Sequence, residues 1–207
     1  MPVVAVVNPK GGVGKTTLAT NLAGYFASNA RPTMLGDFDT QQSARHWLQL
    51  RPAQAAAIGT WEIDDGVARP PRGVTHVVLD TPAQIEGRRL ADVVRVADRI
   101  VVPLQPSMFD AIATSRFLAD LRAGFPKTRR FEDTVSLVGM RVDPRTRAAD
   151  QLARFVAGLG LPVSGYLRDT QNYVHLAAHG LTLFDVAAQR VERDRATWEP
   201  LLHWLES

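Results

Sequence analysis

Residues 8–17 of the chain contain two lysines, three glycines and two threonines, in the order NPKGGVGKTT. Glycines let backbone N–H groups turn inward around phosphate oxygens, and a helix that begins directly after the turn adds its partial positive charge. Lys15 is spaced to reach the β- and γ-phosphates, Thr16 to ligate Mg²⁺ through its hydroxyl, and Thr17 to bind the α-phosphate. The pattern predicts a phosphate loop made by Lys10, Gly11, Gly12, Val13, Gly14, Lys15, Thr16 and Thr17.

The type of cation in this loop is also informative. Of the 24 basic residues of the chain only three are lysines, and two of them, Lys10 and Lys15, lie in the phosphate loop. A compact ammonium fits a tight phosphate cradle in which a planar guanidinium is too large. The loop departs from the ordinary G-x-x-x-x-G-K-[ST] pattern, because Pro9 stands at the first glycine position and Lys10 follows it. The plain alternative is a Gly-rich turn without function.

Acidic residues follow two other apolar runs. Asp37 and Asp39 come at the end of the run that starts at Thr33, and Asp80 follows Val77–Leu79. In a parallel sheet, ligands bind at the carboxyl ends of the strands. An Asp at a strand end often caps a helix. Beside a phosphate loop, however, carboxylates favour a site for Mg²⁺ and for the water that attacks the γ-phosphate.

Apolar β-branched runs alternate with helical patterns along the chain. The expected strands are Val3–Val7, Thr33–Phe38, Thr75–Leu79, Arg99–Leu104, Val135–Met140 and Val163–Leu167. The expected helices begin near Thr16 and cover Ser43–Leu50, Arg88–Ala97, Ile112–Phe125, Ala148–Gly158 and the end of the chain, where Pro200 breaks or restarts the helix. This order predicts an α/β fold with a mostly parallel twisted sheet and helices on both faces. Residues 1–207 fit a single domain, with Gly66, Pro70–Pro71 and Gly73 in a surface loop.

Four segments resemble one family. KGGVGKTT resembles the deviant Walker A motif of the ParA/MinD family of ATPases, and Asp80-Thr81-Pro82 resembles its Walker B strand end. The segment from Asp37 to Ser43 is similar to the family's D-x-D-P-Q-x-S, with Thr40 in place of the usual proline. The segment from Pro103 to Asp110 resembles a P-x-x-P-S-x-x-D stretch near the family's dimer face. The likeness continues to residue 185 and implies a P-loop NTPase fold.

The resemblance implies a slow, partner-stimulated ATPase that uses ATP and Mg²⁺. Its catalytic residues would be Lys10, Lys15 and Asp39, and its metal site Thr16, Asp39 and Asp80, with Asp37 behind them. In the family the early lysine, here Lys10, reaches the ATP of a second subunit, much as an arginine finger acts in trans. A homodimer would then sandwich two ATP molecules, and hydrolysis would loosen it. The family often has an adenine-contacting Asn where this chain has Met140, so the residues that select adenine stay open.

Members of this family also bind DNA without sequence preference, through contacts to phosphates. The candidate residues in this chain are Arg145, Arg147, Arg168, Arg190 and Arg193, with Arg141 and Arg195 as further possibilities. The alternative is an ordinary surface with ion pairs, for example Arg190 with Asp194 at i,i+4. The resemblance further implies a cargo adaptor or ParB-like activator, with the ATP-bound dimer on the nucleoid.

Composition limits the other readings. The chain has no cysteine, which excludes disulfides, thiolate metal sites and cysteine nucleophiles. No apolar run has the length of a membrane span, so a cytoplasmic protein without membrane partners is expected. Two alternatives stay open: a MinD-like switch with a membrane-binding terminal helix, and an ATP-dependent ligase on the same fold. His175 and His179 have the spacing of a metal pair on a helix, but no third ligand is evident nearby.

Overall fold

The computed structural model describes residues 2–61 and 72–207. In this part of the chain seven strands form one sheet in the order β3-β2-β4-β1-β5-β6-β7, and every neighbouring pair is parallel. The strands are β1 Val3–Val6, β2 Thr33–Asp37, β3 Ile58–Trp61, β4 His76–Asp80, β5 Arg99–Leu104, β6 Val135–Gly139 and β7 Val163–Tyr166. The expected parallel α/β sheet is confirmed.

Helices connect the strands and complete the chain. They are α1 Lys15–Ser28, α2 Ser43–Gln49, α3 Gly87–Val96, α4 Met108–Ala123, α5 Phe131–Thr134, α6 Arg147–Ala157, α7 Gln171–Ala177, α8 Ala188–Ala196 and α9 Glu199–Glu206. Pro200 lies in the first turn of α9, where its missing N–H costs nothing because that group has no helical partner there. Pro200 therefore restarts the terminal helix.

Alternate residues of β1 point into two separate cores. Val3, Ala5 and Val7 pack with α3, α4 and α6 on one face of the sheet. Val4 and Val6 pack on the other face with α1, α8 and α9. A central strand covered on both sides has no polar face, which explains its uninterrupted apolar sequence. Each fully buried Val or Leu contributes about 1.5–3 kcal/mol.

Two expectations about elements need correction, and a third lies mostly outside the described residues. Strand β3 is not among the expected strands, because Gly59 weakens the strand pattern. The absence of a side chain lets Gly59 lie beside Met34, whose Cγ is 3.2 Å from the place that a Cβ on Gly59 would occupy. Helix α4 begins at Met108, one turn before the expected Ile112. The expected loop at Gly66 and Pro70–Pro71 lies outside the described residues, and Gly73 lies in a turn.

Candidate nucleotide site

The strand order brings the chemistry-bearing residues to one edge of the sheet. Strand β1 lies between β4 and β5, so the phosphate loop that follows β1 emerges beside Asp80 at the end of β4. The loop from β5 to α4 lies on the other side of β1 from Asp80. This is the kind of crevice at strand carboxyl ends in which α/β proteins bind ligands.

Two glycines give the phosphate loop its shape. Gly12 and Gly14 have φ values of 72° and 98°, which L-residues with side chains rarely adopt. Gly14 directly precedes α1, so the turn delivers the N-terminus of that helix to the mouth of the loop. Gly11 and Gly12 are exposed, whereas Val13 is buried and anchors the loop. The backbone therefore offers N–H groups to a phosphate chain.

Lys15 lies inside this loop. Its ammonium donates a hydrogen bond to the carbonyl oxygen of Lys10 at 2.8 Å. Burial lowers the pKa of Lys15, while the nearby carboxylates of Asp80 and Asp39 act in the opposite direction. An ammonium held among backbone groups, with little water around it, binds an anion more strongly than an exposed one. The side chain is thus placed to bind a phosphate, as the sequence predicts.

Asp80 and Thr16 form the candidate Mg²⁺ site. The Thr16 hydroxyl donates to Asp80 Oδ2 at 2.7 Å. The other oxygen, Oδ1, is buried and has no hydrogen-bond partner among the described residues. Burial raises the pKa of Asp80 to about 7, partly offset by the bond from Thr16. A buried, unpartnered oxygen beside a hydroxyl is a fitting donor set for a hard cation, so these residues suit Mg²⁺ and its water ligands.

The raised pKa makes the stability of the nucleotide-free chain depend on pH. Between its ordinary value of 3.8 and about 7, the folded chain keeps a proton on Asp80 that the unfolded chain has released. Stability therefore falls as the pH rises through this window. We expect Asp80→Asn to stabilise the nucleotide-free protein by about 2–4 kcal/mol at pH 8 and by much less at pH 4.5. Urea unfolding at both pH values measures this.

The exposed Asp133→Asn is the control for that experiment. Its side chain is 59% exposed, so the substitution should change stability little at either pH. Equal effects of Asp80→Asn at the two pH values would contradict a buried, proton-binding carboxyl.

Asp37 and Asp39 have different local roles. Asp37 Oδ2 accepts hydrogen bonds from the N–H groups of Ala44 and Arg45, at 2.9 and 3.1 Å, and thereby caps α2. Asp39 accepts one bond from the N–H of Gln41 at 3.0 Å. It lies close enough to Lys15 and Asp80 to affect the pKa of each. Both carboxylates therefore lie near Asp80 and raise its pKa, and Asp37 also positions the segment through its bonds to α2.

Lys10 lies at the open side of the loop. Its ammonium is 3.4 Å from Asp110 Oδ1 in the first turn of α4, and the side chain is 40% exposed. The Asp110 side chain is only 15% exposed, so the pair is partly buried. A triphosphate carries several negative charges against the single charge of Asp110, and it can therefore compete for the ammonium.

Sequence reasoning missed two residues that hold the loop in place. The buried Asn8 carboxamide donates to the Pro103 carbonyl at 2.7 Å and to the Thr114 hydroxyl at 3.1 Å, and its oxygen accepts the N–H of Lys10 at 2.8 Å. Gln105 donates to the Gly12 carbonyl at 3.0 Å. The signal available for Asn8 was its position, as a polar residue directly after a fully apolar strand. Nothing in the local spacing indicates the role of Gln105.

Met140 stands where the family often has an adenine-contacting Asn. Met140 is buried, and its Cε lies 2.8 Å from the place a Cβ on Gly14 would occupy. A side chain on Gly14 would therefore displace Met140. Arg141, which follows, has a φ of 53° and is exposed. A thioether offers only a weak hydrogen-bond acceptor, so Met140 gives no strong polar contact to a base.

Three of the five arginine candidates lie together. Arg168, Arg190 and Arg193 line a cleft of about 300 Å³ between the loop after β7 and α8. The pair of Arg190 with Asp194, the example given for an ordinary surface, does not form. The buried Asp194 instead accepts from Arg168 in the loop after β7 at 2.7 Å and from Asn172 in α7 at 2.6 Å.

The other two candidates lie between β6 and α6. Arg145 is bound to Asp143 at 2.8 Å, and Arg147 is exposed at the start of α6. Further along the chain, Arg195 stacks over the ring of Phe184. Of the five candidates, Arg145, Arg147, Arg190 and Arg193 are exposed, and within the described residues Arg145 is the one of these that is paired with a carboxylate.

Two remaining expectations concern the second half of the chain. His179 lies beyond the end of α7, and its Nδ1 is 2.8 Å from the His175 carbonyl oxygen, so the two rings do not form a helical pair. Helix α9 packs on the body with Leu201 and Leu205 buried. Within residues 2–61 and 72–207, no helix has the length and apolar character required to cross a membrane.

Comparisons with known proteins agree with this geometry. The family model of the CobQ/CobB/MinD/ParA nucleotide binding domain matches residues 4–183. Maintenance of carboxysome distribution protein A from Gloeobacter kilaueensis is 30% identical over 209 residues, which cover 99% of this chain and 94% of that protein.

Solved structures share the fold. The chain matches the MinC:MinD cell division protein complex from Aquifex aeolicus with a TM-score of 0.75 at 16% identity, over 100% of this chain and 96% of that one. It matches the cell division ATPase MinD from Pyrococcus furiosus with a TM-score of 0.74 at 14% identity, over 99% and 98%. At these identities the likeness supports the fold alone.

Proposed function

Because this chain belongs to the CobQ/CobB/MinD/ParA nucleotide-binding family, we propose that it is an ATP-driven dimerisation switch that positions a cargo over the nucleoid by non-specific DNA binding. The chain is an ATPase, and its ligands are ATP and Mg²⁺. We propose that residues 1–207 act as one domain and that ATP-bound chains form a homodimer around two nucleotides.

The placement of Lys10 supports this proposal most directly. Lys15 already supplies an ammonium from within the loop, so a second lysine at the exposed side is not needed for binding in cis. In its own chain the Lys10 ammonium makes one ion pair, with Asp110 at 3.4 Å. A cation at the mouth of a phosphate site is available to the nucleotide of a facing subunit.

In this proposal each side chain of the site has a separate role in hydrolysis. Backbone N–H groups of the phosphate loop and Lys15 orient the triphosphate, and Lys10 of the facing subunit stabilises charge that develops on the transferred phosphoryl group. Asp39 orients the attacking water. When Mg²⁺ is bound, held by Thr16 and through water by Asp80, it adds Lewis-acid stabilisation at the phosphate oxygens.

Asp39→Ala is expected to trap the ATP-bound dimer. Without the carboxylate that orients water, hydrolysis should slow by roughly 10²–10⁴-fold, while dimers accumulate and persist. ATP turnover and size-exclusion chromatography measure both effects in one sample. Asp133→Ala serves as the exposed control. Turnover by Asp39→Ala at the wild-type rate would remove Asp39 from the proposed mechanism.

DNA binding is expected to depend on ATP and on the exposed arginines. Replacing Arg190 and Arg193 together by alanine should weaken DNA binding and lower the slope of log K against log salt by about 2, since each phosphate contact contributes about 0.9. Gel shifts with ATP or ADP at two salt concentrations test this. The control is the double alanine variant of Arg88 and Arg89, which are exposed on α3.

Equal DNA binding in both nucleotide states would refute a switch, whatever the arginine variants do. Loss of binding in the α3 variant alone would place the DNA contact elsewhere.

A large protein assembly is the cargo that we favour. The Gloeobacter relative, which aligns with 99% of this chain, is named for the distribution of carboxysomes. A plasmid or a chromosome region stays the alternative, and an adaptor or ParB-like activator would connect the cargo to the dimer. We do not favour the MinD-like membrane switch, because α9 buries its leucines against the body instead of presenting a basic amphipathic face.

A further inference from the structure

Helix α2 begins just after Asp39 and is too short to be stable by itself. It has seven residues, Ser43–Gln49, whereas an isolated helix in water needs about 12–15. The Asp39 carbonyl accepts the N–H of Gln42 at 2.9 Å, and the Gln42 carbonyl accepts the N–H of His46 at 2.9 Å. The turn that holds Asp39 thus runs without a break into α2, so whatever fixes the helix also fixes the position of Asp39.

A buried ion pair holds the other end of α2. Just after the helix, the Arg51 guanidinium binds both carboxylate oxygens of Asp185, at 2.6 and 3.0 Å, and the two side chains are 5% and 2% exposed. The guanidinium also donates to the carbonyls of Ala56 and Gly180, at 2.8 and 3.0 Å. It lies 5.5 Å from the centre of the Trp47 ring, which belongs to α2 itself. One side chain therefore ties the helix to the loop between α7 and α8.

The loop that receives the guanidinium is itself fixed to α1. The N–H of Leu183 donates to Asn21 Oδ1 in α1 at 3.1 Å. Thr182 packs against Gly24 of the same helix so closely that a Cβ on the glycine would overlap the threonine side chain. Helix α1 starts with the lysine and the threonines of the phosphate loop. The guanidinium thus joins the helix that follows Asp39 to the helix that follows the phosphate loop.

We infer that Arg51 is a positioning residue for ATP hydrolysis, which acts through Asp39. The inference rests on the role proposed for Asp39 in orienting the attacking water. A buried ion pair contributes little net stability compared with well-packed apolar side chains, because both charges lose their water. A bidentate pair does, however, fix one geometry. Since a displacement of about 1 Å in a catalytic site can cost about 100-fold in rate, this pair keeps the Asp39 carboxylate at its working distance from the phosphates.

The first test compares two arginines that bind backbone carbonyls. Arg51→Lys keeps the charge but loses the bidentate contact, so turnover at saturating ATP should fall by about tenfold or more. ATP affinity and the ATP-bound dimer should stay within about twofold of wild type, because neither depends on the attacking water. Single-turnover release of labelled phosphate measures the rate. Arg129→Lys is the matched control, because Arg129 donates to the carbonyls of Val94 and Ala97 at the end of α3, and it should keep the wild-type rate.

The second test is a double-mutant cycle with Asp39→Ala. If the arginine acts through this carboxylate, Arg51→Lys should change the residual turnover of Asp39→Ala by less than about twofold. A merely structural loss would lower the rate by the same factor in both backgrounds. Hydrogen exchange adds a readout besides the rate. The amides of Ala44 and Arg45, which Asp37 caps, should exchange faster in Arg51→Lys, whereas those of α4 should not.

A second variant serves if Arg51→Lys fails to fold. Arg51→Met combined with Asp185→Leu replaces the pair by apolar side chains, which usually preserves stability but does not impose the same geometry. This double variant should stay folded, bind ATP as the wild type does, and hydrolyse it at least about tenfold more slowly. Thermal unfolding and isothermal titration check the first two properties in the same preparation.

The outcomes separate this inference from the proposed function. Wild-type turnover in the Arg51 variants would overturn the inference and leave the role of Asp39 in place. Equal losses with and without the Asp39 carboxylate would also overturn it. Turnover by Asp39→Ala at the wild-type rate would instead remove the role proposed for Asp39, and the inference with it. A loss confined to chains that keep Asp39, with an unchanged Arg129→Lys control, would support it.

Discussion

Lys15→Ala is expected to abolish ATP binding. The ammonium lies within the phosphate loop and already donates to a loop carbonyl, so it is positioned before the nucleotide arrives. Charge-assisted hydrogen bonds contribute about 1.5–3 kcal/mol each, and two such bonds to phosphate oxygens correspond to a loss of affinity of roughly 100-fold or more. Isothermal titration of ATP with Mg²⁺ measures this directly.

The fold should survive this substitution. Lys15 is buried and burial lowers its pKa, so the charge costs stability in the nucleotide-free chain. We therefore expect thermal unfolding of Lys15→Ala at or above the wild-type midpoint. Lys127→Ala, at the one other lysine outside the loop and exposed to solvent, should bind ATP normally. ATP affinity within threefold of wild type in Lys15→Ala would contradict the assignment of this loop.

Lys10→Ala is expected to separate binding from dimerisation. In its own chain the side chain makes one ion pair, with Asp110 on α4, so ATP affinity of the monomer should change by less than about threefold. In the dimer the substitution would remove two ammonium groups, one from the phosphates of each subunit's ATP. We expect the dimer to weaken by at least about 100-fold, from two lost charge-assisted contacts.

Size-exclusion chromatography with light scattering, across a range of protein concentrations with ATP and Mg²⁺, measures this loss. Lys127→Ala again provides the matched control, since it removes the same charge from an exposed position. ATP-dependent dimers of Lys10→Ala with wild-type affinity would show that the lysine does not act across the interface.

The sequence predicts those parts of the site that consist of residues close together in the chain. The phosphate loop follows from glycines, lysines and threonines within ten residues, and Asp80 from an apolar strand that ends in an acid. Their meeting follows from topology, because β1 and β4 are neighbours in a parallel sheet. The bond between Thr16 and Asp80 is a consequence of that pairing and of nothing in the spacing of the two residues.

Long-range partners were the part that could not be predicted. Helical spacing offers Arg190, four residues away, as a partner for Asp194, but Asp194 binds Arg168 in the loop after β7 and Asn172 in α7. Local helical spacing describes only neighbours on one helix, whereas a buried carboxylate is satisfied by whatever donors tertiary packing supplies. The same holds for Gln105, whose bond to Gly12 spans 93 residues.

The start of α4 was also not predicted, because the residues before it are typical of turns. Pro106 favours a loop, yet a helix tolerates proline shortly before its first turn, and α4 begins two residues later at Met108. The start of α4 carries Asp110 together with the exposed Met108, Phe109 and Ile112. The sequence therefore predicted the nucleotide site more completely than the surface around it.

The most direct measurement of the central claim is a crystal structure of Asp39→Ala with ATP and Mg²⁺. We predict two chains related by a two-fold axis, with the Lys10 ammonium of each within about 3 Å of a phosphate oxygen of the other chain's ATP and no longer paired with Asp110. An ATP-bound chain whose Lys10 still contacts its own Asp110, or points into solvent with no second chain facing it, would contradict the account.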